Sequence, residues 1–598
     1  MAQTHSFHIP VMGIGFTVDS PLKVSKFGID SVISLVDDIL LERMRKMYCQ
    51  KFKIPYEEIT EKMEDFRAKR ITSYLNLIKT LSENEFEEFR KTTTRTLNDI
   101  NGFFDTLPDA STLKQEFKQL TKNHFSLNEI KDWFKENFSM GGIDVNIMTK
   151  VDKDNYRKDI KLPIEYNDAH AALRGFAQSK VDSSLILSAG MNPRLYSYLA
   201  KFQDFYPNEN GCIKKKIVLK VSDYRSALIQ GKFLAKKGIW VSEYRIESGL
   251  NCGGHAFATD GYLLGPVLEE FKIKREELRQ ILQETLFHTL SCQGGIIPKK
   301  DLGFKISAQG GVGTAEEHQF LLEHYLVDSV GWGTPFLLVP EATTVDKATL
   351  NKLIDASEED VYLSDISPLG VPFNNLKGNT KDEEKARLIQ KGRPGSACPK
   401  KFVALNKEFT EKGICTASRQ YQHLKIKALD KEGISEKEYQ VKFNKIIEKT
   451  CTCVGLGTTA LLANNLDTKT EGEGVSVCPG PNIAYFSKAM GLEEIIKAIY
   501  GKAPRITKKN RPNMFIKELN IYIDFLKKKL EEGILDTSPK QIKYLKTFAL
   551  NLKEGIVYYR KLFDQSQTRI TNLILVLSDL RKSEKRFNEL NTKIQSLE

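Results

Sequence analysis

The 598-residue sequence has no uninterrupted apolar run near the roughly 20 residues that cross a membrane, so no span is expected. Residues 1–10 lack a basic stretch followed by an apolar one, and no secretory signal is expected. Cysteine is scarce, nine in all, and no C-x-x-C pair occurs. That excludes a disulfide framework; reduced thiols or metal ligands in the cytoplasm are expected. No G-x-G-x-x-G follows the first apolar run, which sets aside a dinucleotide-binding βαβ unit there. Charge of one sign is also missing over most of the chain. The formal net charge is +12, yet residues 501–598 hold 21 Lys or Arg against 11 Asp or Glu and so carry nearly all of it. With 41% hydrophobic and 28% charged residues the composition is that of a soluble globular protein. The length requires two or more domains.

What is present is a repeated alternation of short β-branched runs with helical segments. Runs beginning at Phe7, Ser31, Ile143, Ser184, Ile217, Ile239, Phe304 and Ser329 read as strands. Eight such βα units predict an α/β fold, a closed (β/α)8 barrel of parallel strands. Several strands end in glycines, on the side where such barrels carry their chemistry. The clearest cases are Gly253-Gly254-His255, Gly310-Gly311 and Gly333-Thr334. A glycine pair lets backbone amides approach an anion, and the helix that follows adds a favourable dipole. Two such turns on the last two strands predict a phosphate site.

In order, the chain reads NCGGH, AQGGVGT and GWGTPFLLVPEA. This order resembles the flavin half of the nitronate monooxygenase (2-nitropropane dioxygenase-like) family. The resemblance covers residues 7–37 and 141–375. It departs at Asn251-Cys252, where the family has Glu-Ala, and in a long stretch between His255 and the next strand. It implies non-covalent FMN held by Gly13 and Ile14 after strand one, Asn146 at the end of strand three, and Gly253, Gly254, Gly310, Gly311, Gly333 and Thr334. It implies His255 as catalytic base or substrate contact, since a neutral imidazole near pH 7 is suited to take a proton from carbon. Lys220 ends strand five. It either stabilises an anionic reduced flavin or runs its stem out to solvent.

The remaining parts flank the barrel. Residues 38–140 show helical periodicity and are expected to be a helical insertion after strand two, its aromatic residues forming core. Residues 376–504 hold Cys398, Cys415, Cys451, Cys453 and Cys478. Four thiolates would suit an iron–sulfur cluster or zinc; with such irregular spacing, unliganded thiols are the other reading. Residues 505–598 are expected to form a basic three-helix bundle, with a second stripe through Leu545, Leu550 and Leu552. Its charge reads as a solvated face or as a dock for an acidic protein, with nucleic acid unlikely.

The divisions expected are therefore 1–37, 38–140, 141–375, 376–504 and 505–598. The expected function is an FMN-dependent oxidoreductase acting on a small carbon acid or nitronate. The alternatives are an enoyl-thioester (acyl carrier protein) or quinone reductase of the same superfamily, and a non-catalytic barrel scaffold.

Overall fold

The computed structural model describes residues 4–123, 126–251, 260–533, 538–565 and 572–597. Eight strands close into a barrel: β1 (Phe7–Ile9), β2 (Asp30–Ser34), β3 (Ile143–Ile147), β4 (Ser184–Leu187), β5 (Lys216–Val221), β6 (Val241–Glu247), β7 (Lys305–Gln309) and β8 (Ser329–Gly331). Each pairs in parallel with its neighbour in sequence, and β1 pairs with β8 to complete the circle. The strands are short and rich in Ile, Val and Leu because both faces are covered, the inner by the barrel core and the outer by helices. The expected (β/α)8 fold is what the chain adopts.

The barrel interior includes a polar cluster. On β6 the alternation of period two sends Glu243, Arg245 and Glu247 to one face, while Tyr244 packs on Phe271 and Phe304 on the other. Arg245 Nε donates to Glu243 at 3.0 Å, and Ser307 Oγ donates to the same carboxylate. Burial disfavours the charged form of Glu243, but Arg245, His8 and Ser307 outweigh it and hold the carboxyl down at about 2. On the paired strands β1 and β8, His8 Nδ1 is 3.0 Å from Ser329 Oγ; burial and the Arg245 charge keep its imidazole neutral, pushed down to about 3.

Five helices fill the interval between β2 and β3: α1 (Asp38–Lys51), α2 (Phe66–Thr93), α3 (Leu97–Thr106), α4 (Thr112–Lys122) and α5 (Leu127–Asn137). The first two pack on the barrel, and Leu40, Met44, Ile71, Tyr74 and Leu75 belong to its core. The rest bury a second core of their own, with Phe103, Phe104, Phe117, Phe134 and Phe138 at its centre. Capping boxes at Thr96 and Ser126 start α3 and α5, each satisfying otherwise orphaned backbone donors.

α6 (Ala315–His324) follows β7, and α7 (Thr452–Ala463) lies in the post-barrel segment. By length and hydropathy the stretch Glu436–Ala463 matches a membrane span, against the sequence expectation that none is present. It is two helices, however, broken between Glu448 and Thr452, and the apolar half is the buried α7. The C-terminal part is α8 (Met514–Gly533), α9 (Pro539–Gln565) and α10 (Leu573–Gln595), packed on one another. Leu550 corrects the expected α9 stripe. It is 54% exposed, whereas Leu545, Leu552, Ile556 and Tyr559 are buried. At 100° per residue Leu550 falls on the face opposite that of Leu545, Leu552, Ile556 and Tyr559.

Candidate active site

At the C-terminal mouth of the barrel lies a cavity with about 920 Å³ of empty space, its open mouth included. Each of the first six strands or the loop that follows it contributes to the wall: Val11, Gly13 and Ile14 after β1, Ser34 and Val36 from β2, Asn146, Met148 and Lys150 from β3, Ser188 and Ala189 after β4, Lys220 from β5 and Glu247 from β6. The roof is post-barrel chain, including Leu369, Val371, Val403 and the first turns of α7, Thr452, Cys453 and Leu456. Gly15 N donates to Leu456 O at 2.8 Å, which ties α7 to the loop after β1. At Gly15 a Cβ would lie 2.9 Å from that carbonyl, so close an approach requires glycine.

The floor is electrostatic. Lys220 Nζ is 2.6 Å from Glu247 Oε1, and both side chains are buried. Asn251 Nδ2 donates to the same oxygen at 2.6 Å and Gln309 Nε2 at 3.1 Å. Among the described residues, Glu247 Oε2 and Gln309 Oε1 are buried without a hydrogen-bond partner. Asn146 points along the sheet, its Nδ2 donating to Ile186 O at 3.2 Å.

Of the residues expected to hold a cofactor, Gly13, Ile14, Asn146 and Lys220 therefore share one cavity. Gly310-Gly311 and Gly333-Thr334 stand side by side after the paired strands β7 and β8 but are not among its described lining residues. Gly310 and Gly311 have φ of +112° and +85°, a region that requires glycine. Post-barrel chain covers both turns. Asn482 Nδ2 donates to Gly311 O and Val312 O, Arg511 Nη2 donates to Gly311 O at 2.6 Å, and Thr334 Oγ1 donates to Pro479 O at 2.8 Å. Arg511 in turn is held by Glu317 on α6 at 2.8 Å. Gly253, Gly254 and His255, with Cys252, lie outside the described residues. The flanks of their segment are fixed by the C-terminal helices: Gly249 N donates to Tyr522 OH at 3.2 Å, and Leu264 N to Glu518 at 3.0 Å.

The five cysteines expected as metal ligands are all buried. Among the described residues, no group of three or more His, Cys, Asp or Glu is arranged to hold a metal ion. Sequence reasoning missed Glu247, Gln309 and the roof residues Thr452 and Leu456. The stripe Glu243, Arg245, Glu247 was a readable signal for the first; nothing local announces the others.

The fold and cavity define a (β/α)8 barrel with an open cleft at the end where such barrels carry their sites. No protein-family profile matches the chain, and no curated protein matches it. Several solved structures are similar, three of them as follows. The enoyl reductase domain of MlnA from the macrolactin biosynthesis cluster of Bacillus amyloliquefaciens has 15% identity and a TM-score of 0.32, over 68% of this chain and 89% of that one. FabK from Thermotoga maritima has 11% identity and a TM-score of 0.34, over 84% and 93%. A nitroalkane oxidase from Streptomyces ansochromogenes has 10% identity and a TM-score of 0.28, over 78% and 95%. The barrel assignment rests on the strand order itself.

Proposed function

We propose that this chain is an FMN-dependent oxidoreductase, with its cofactor in the barrel-mouth cavity. The observation that carries the reading is the meeting of Gly13, Ile14, Asn146 and Lys220 on that cavity's wall. These are four positions that the motif order marks for flavin, drawn from strands far apart in sequence. The wall suits a flat ligand with an apolar body and a polar edge. Val11, Ile14, Met148, Leu369 and Val371 supply apolar surface, while Lys220, Glu247, Asn146 and Ser188 supply polar groups. Lys220 and Glu247 together carry no net charge, so a ligand edge with both donors and acceptors is matched there. The paired turns at Gly310-Gly311 and Gly333-Thr334 would take the phosphate, beside the Gly311 carbonyl that Asn482 and Arg511 bind.

Bound flavin would supply the acceptance of two electrons. This chain's part is to exclude water with α7 as a roof, to hold the polar edge with Lys220 and Glu247, and to take the substrate proton on His255. The substrate class is a small carbon acid or nitronate.

The test is the absorption spectrum of untagged protein purified without oxygen, with the released cofactor identified by mass. FMN in about one copy per chain is expected. Colourless protein that also fails to take up added FMN rejects the reading. Bleaching by a nitronate or neutral nitroalkane supports the substrate class. NADH oxidation with an enoyl thioester, and none with nitronate, transfers it to the reductases.

A further inference from the structure

The ionisable side chains on the wall of the barrel-mouth cavity are Lys150, Lys220, Glu247 and the Cys453 thiol. Lys220 and Glu247 cancel each other in their 2.6 Å ion pair. Lys150 has no such partner. Among the described residues, no carboxylate lies within ion-pair distance of it and no acceptor takes its ammonium protons. The described wall therefore carries one uncompensated positive charge, and the proposed function has no use for it.

The backbone fixes the place of this cation. Thr149 and Val151 on either side of it are buried, 2% and 4% exposed. Val151 N donates to Met148 O at 2.9 Å, which closes a turn around residues 149 and 150. Thr149 is tied to the loop after β4: its N donates to Ser188 Oγ at 2.9 Å and its Oγ1 to Gly190 O at 2.6 Å. Asn192 Nδ2 donates to Thr149 O at 3.1 Å. The stem of Lys150 then lies against Gly190. A Cβ at Gly190 would come within 2.6 Å of Lys150 Cε, and Gly190 has φ +111°, so both the space and the backbone there call for glycine. Lys150 is exposed while it lines the cavity, which puts its side chain at the open side.

The wall beside it is apolar, with Met148, Val151, Leu369, Val371 and Val403. A charge in a cleft with low-dielectric walls keeps its field inside the cleft and draws in the opposite charge. One lysine matches one negative charge. A carboxylate leaves the wall neutral, whereas a phosphate dianion would leave an excess on apolar surface. In strand order Lys150 follows β3, while Lys220 and Glu247 lie on β5 and β6, so the cation and the ion pair meet a ligand from different positions around the mouth.

We propose that Lys150 is a specificity-determining residue, which binds the carboxylate of a substrate whose reacting carbon lies deeper in the cavity. The substrate is then a carbon acid that carries a separate carboxylate. That the bound carboxylate belongs to a substrate rests on the proposed function; the anion site itself does not.

The test is calorimetric titration of the full chain with pentanoate and with pentanamide, which match in shape and differ in charge. Pentanoate should bind more tightly by roughly 5–10-fold at low ionic strength, between the worth of an exposed ion pair and that of a buried charged hydrogen bond. The preference should shrink as salt is added. Lys150→Met should abolish it, and Lys150→Arg should keep it. Binding of neither compound, no preference in the wild type, or a preference that survives in Lys150→Met would overturn the proposal. Flavin content is measured on the same three proteins. A loss of FMN confined to Lys150→Met would assign the cation to the cofactor phosphate and would also overturn it. Colourless wild type that still shows the Lys150-dependent preference rejects the flavin and leaves the anion site standing. Yellow protein without the preference does the reverse.

Discussion

Lys220 and Glu247 form a 2.6 Å ion pair across the neighbouring strands β5 and β6, and both are buried at the floor of the barrel mouth. Removing one member of such a pair strands the other charge and costs about 3–5 kcal/mol. Lys220→Met should therefore lower unfolding stability by about that much, less whatever Asn251 and Gln309 recover through their bonds to the same oxygen. The double variant Lys220→Met/Glu247→Gln should regain a large part of the loss. Denaturant unfolding of the three proteins gives the coupling directly; additive losses would mean the pair does not act as a unit.

Gly311 separates strain from charge at the paired turns. Its φ of +85° disfavours any side chain, and a Cβ would come within 2.5 Å of Leu250. Gly311→Ala should cost at least the ~1–2 kcal/mol of a left-handed residue. Gly311→Asp should cost a similar amount but also place a carboxylate beside the phosphate. Alanine protein that keeps some colour and aspartate protein with none is the expected pattern. Full flavin content in the aspartate variant would remove these turns from the site.

The barrel was legible because each strand is punctuated by its own glycine or proline turn, a signal carried within a few residues. Lys220 was legible for the same reason, since a strand end marks the mouth wherever it falls in sequence; Gly13, Ile14 and Asn146 were picked out only by the family resemblance. The cover over the phosphate turns was not. It depends on contacts such as Asn482 with Gly311 and Arg511 with Gly311, separated by 171 and 200 residues. The partnership of Lys220 with Glu247 was half legible: period-two alternation puts Glu247 inside, but which residue of β5 it meets is set by the strand register. Leu550 is apolar but lies on the solvent face of its helix, so strict 3.6-residue spacing separates it from the buried stripe.

Glu518 makes the docking of the C-terminal helices depend on pH. It is buried, and it accepts hydrogen bonds from Ser248 Oγ at 2.8 Å, Leu264 N at 3.0 Å and Tyr559 OH at 3.2 Å. Burial pushes its carboxyl up to about 7 from an ordinary 4.5, despite those donors. The folded value lies above the unfolded one, so the folded state binds the proton more tightly. The resulting stability is fully present below about pH 4.5 and is lost as pH rises through about 7. Glu518→Gln stays neutral throughout. The difference in melting temperature between wild type and variant should therefore shift against wild type between about pH 5 and pH 8. A constant difference would show that Glu518 ionises normally.

His255 is the remaining chemical claim, resting on its place after Gly253-Gly254 in the motif order. His255→Asn keeps polarity and approximate size but removes the base. If the imidazole takes a proton from substrate carbon, flavin should stay bound while its reduction slows by roughly 10²–10⁴-fold, the usual worth of a general base. The loss should shrink for a nitronate, which arrives already deprotonated, and stay large for the neutral nitroalkane. A purely structural histidine gives no such contrast, because misplacing the segment would slow both substrates alike. Stopped-flow bleaching of flavin by the two substrates, in wild type and variant, makes the comparison. Equal slowing of both would assign His255 to holding the loop and leave the proton to another group at the mouth.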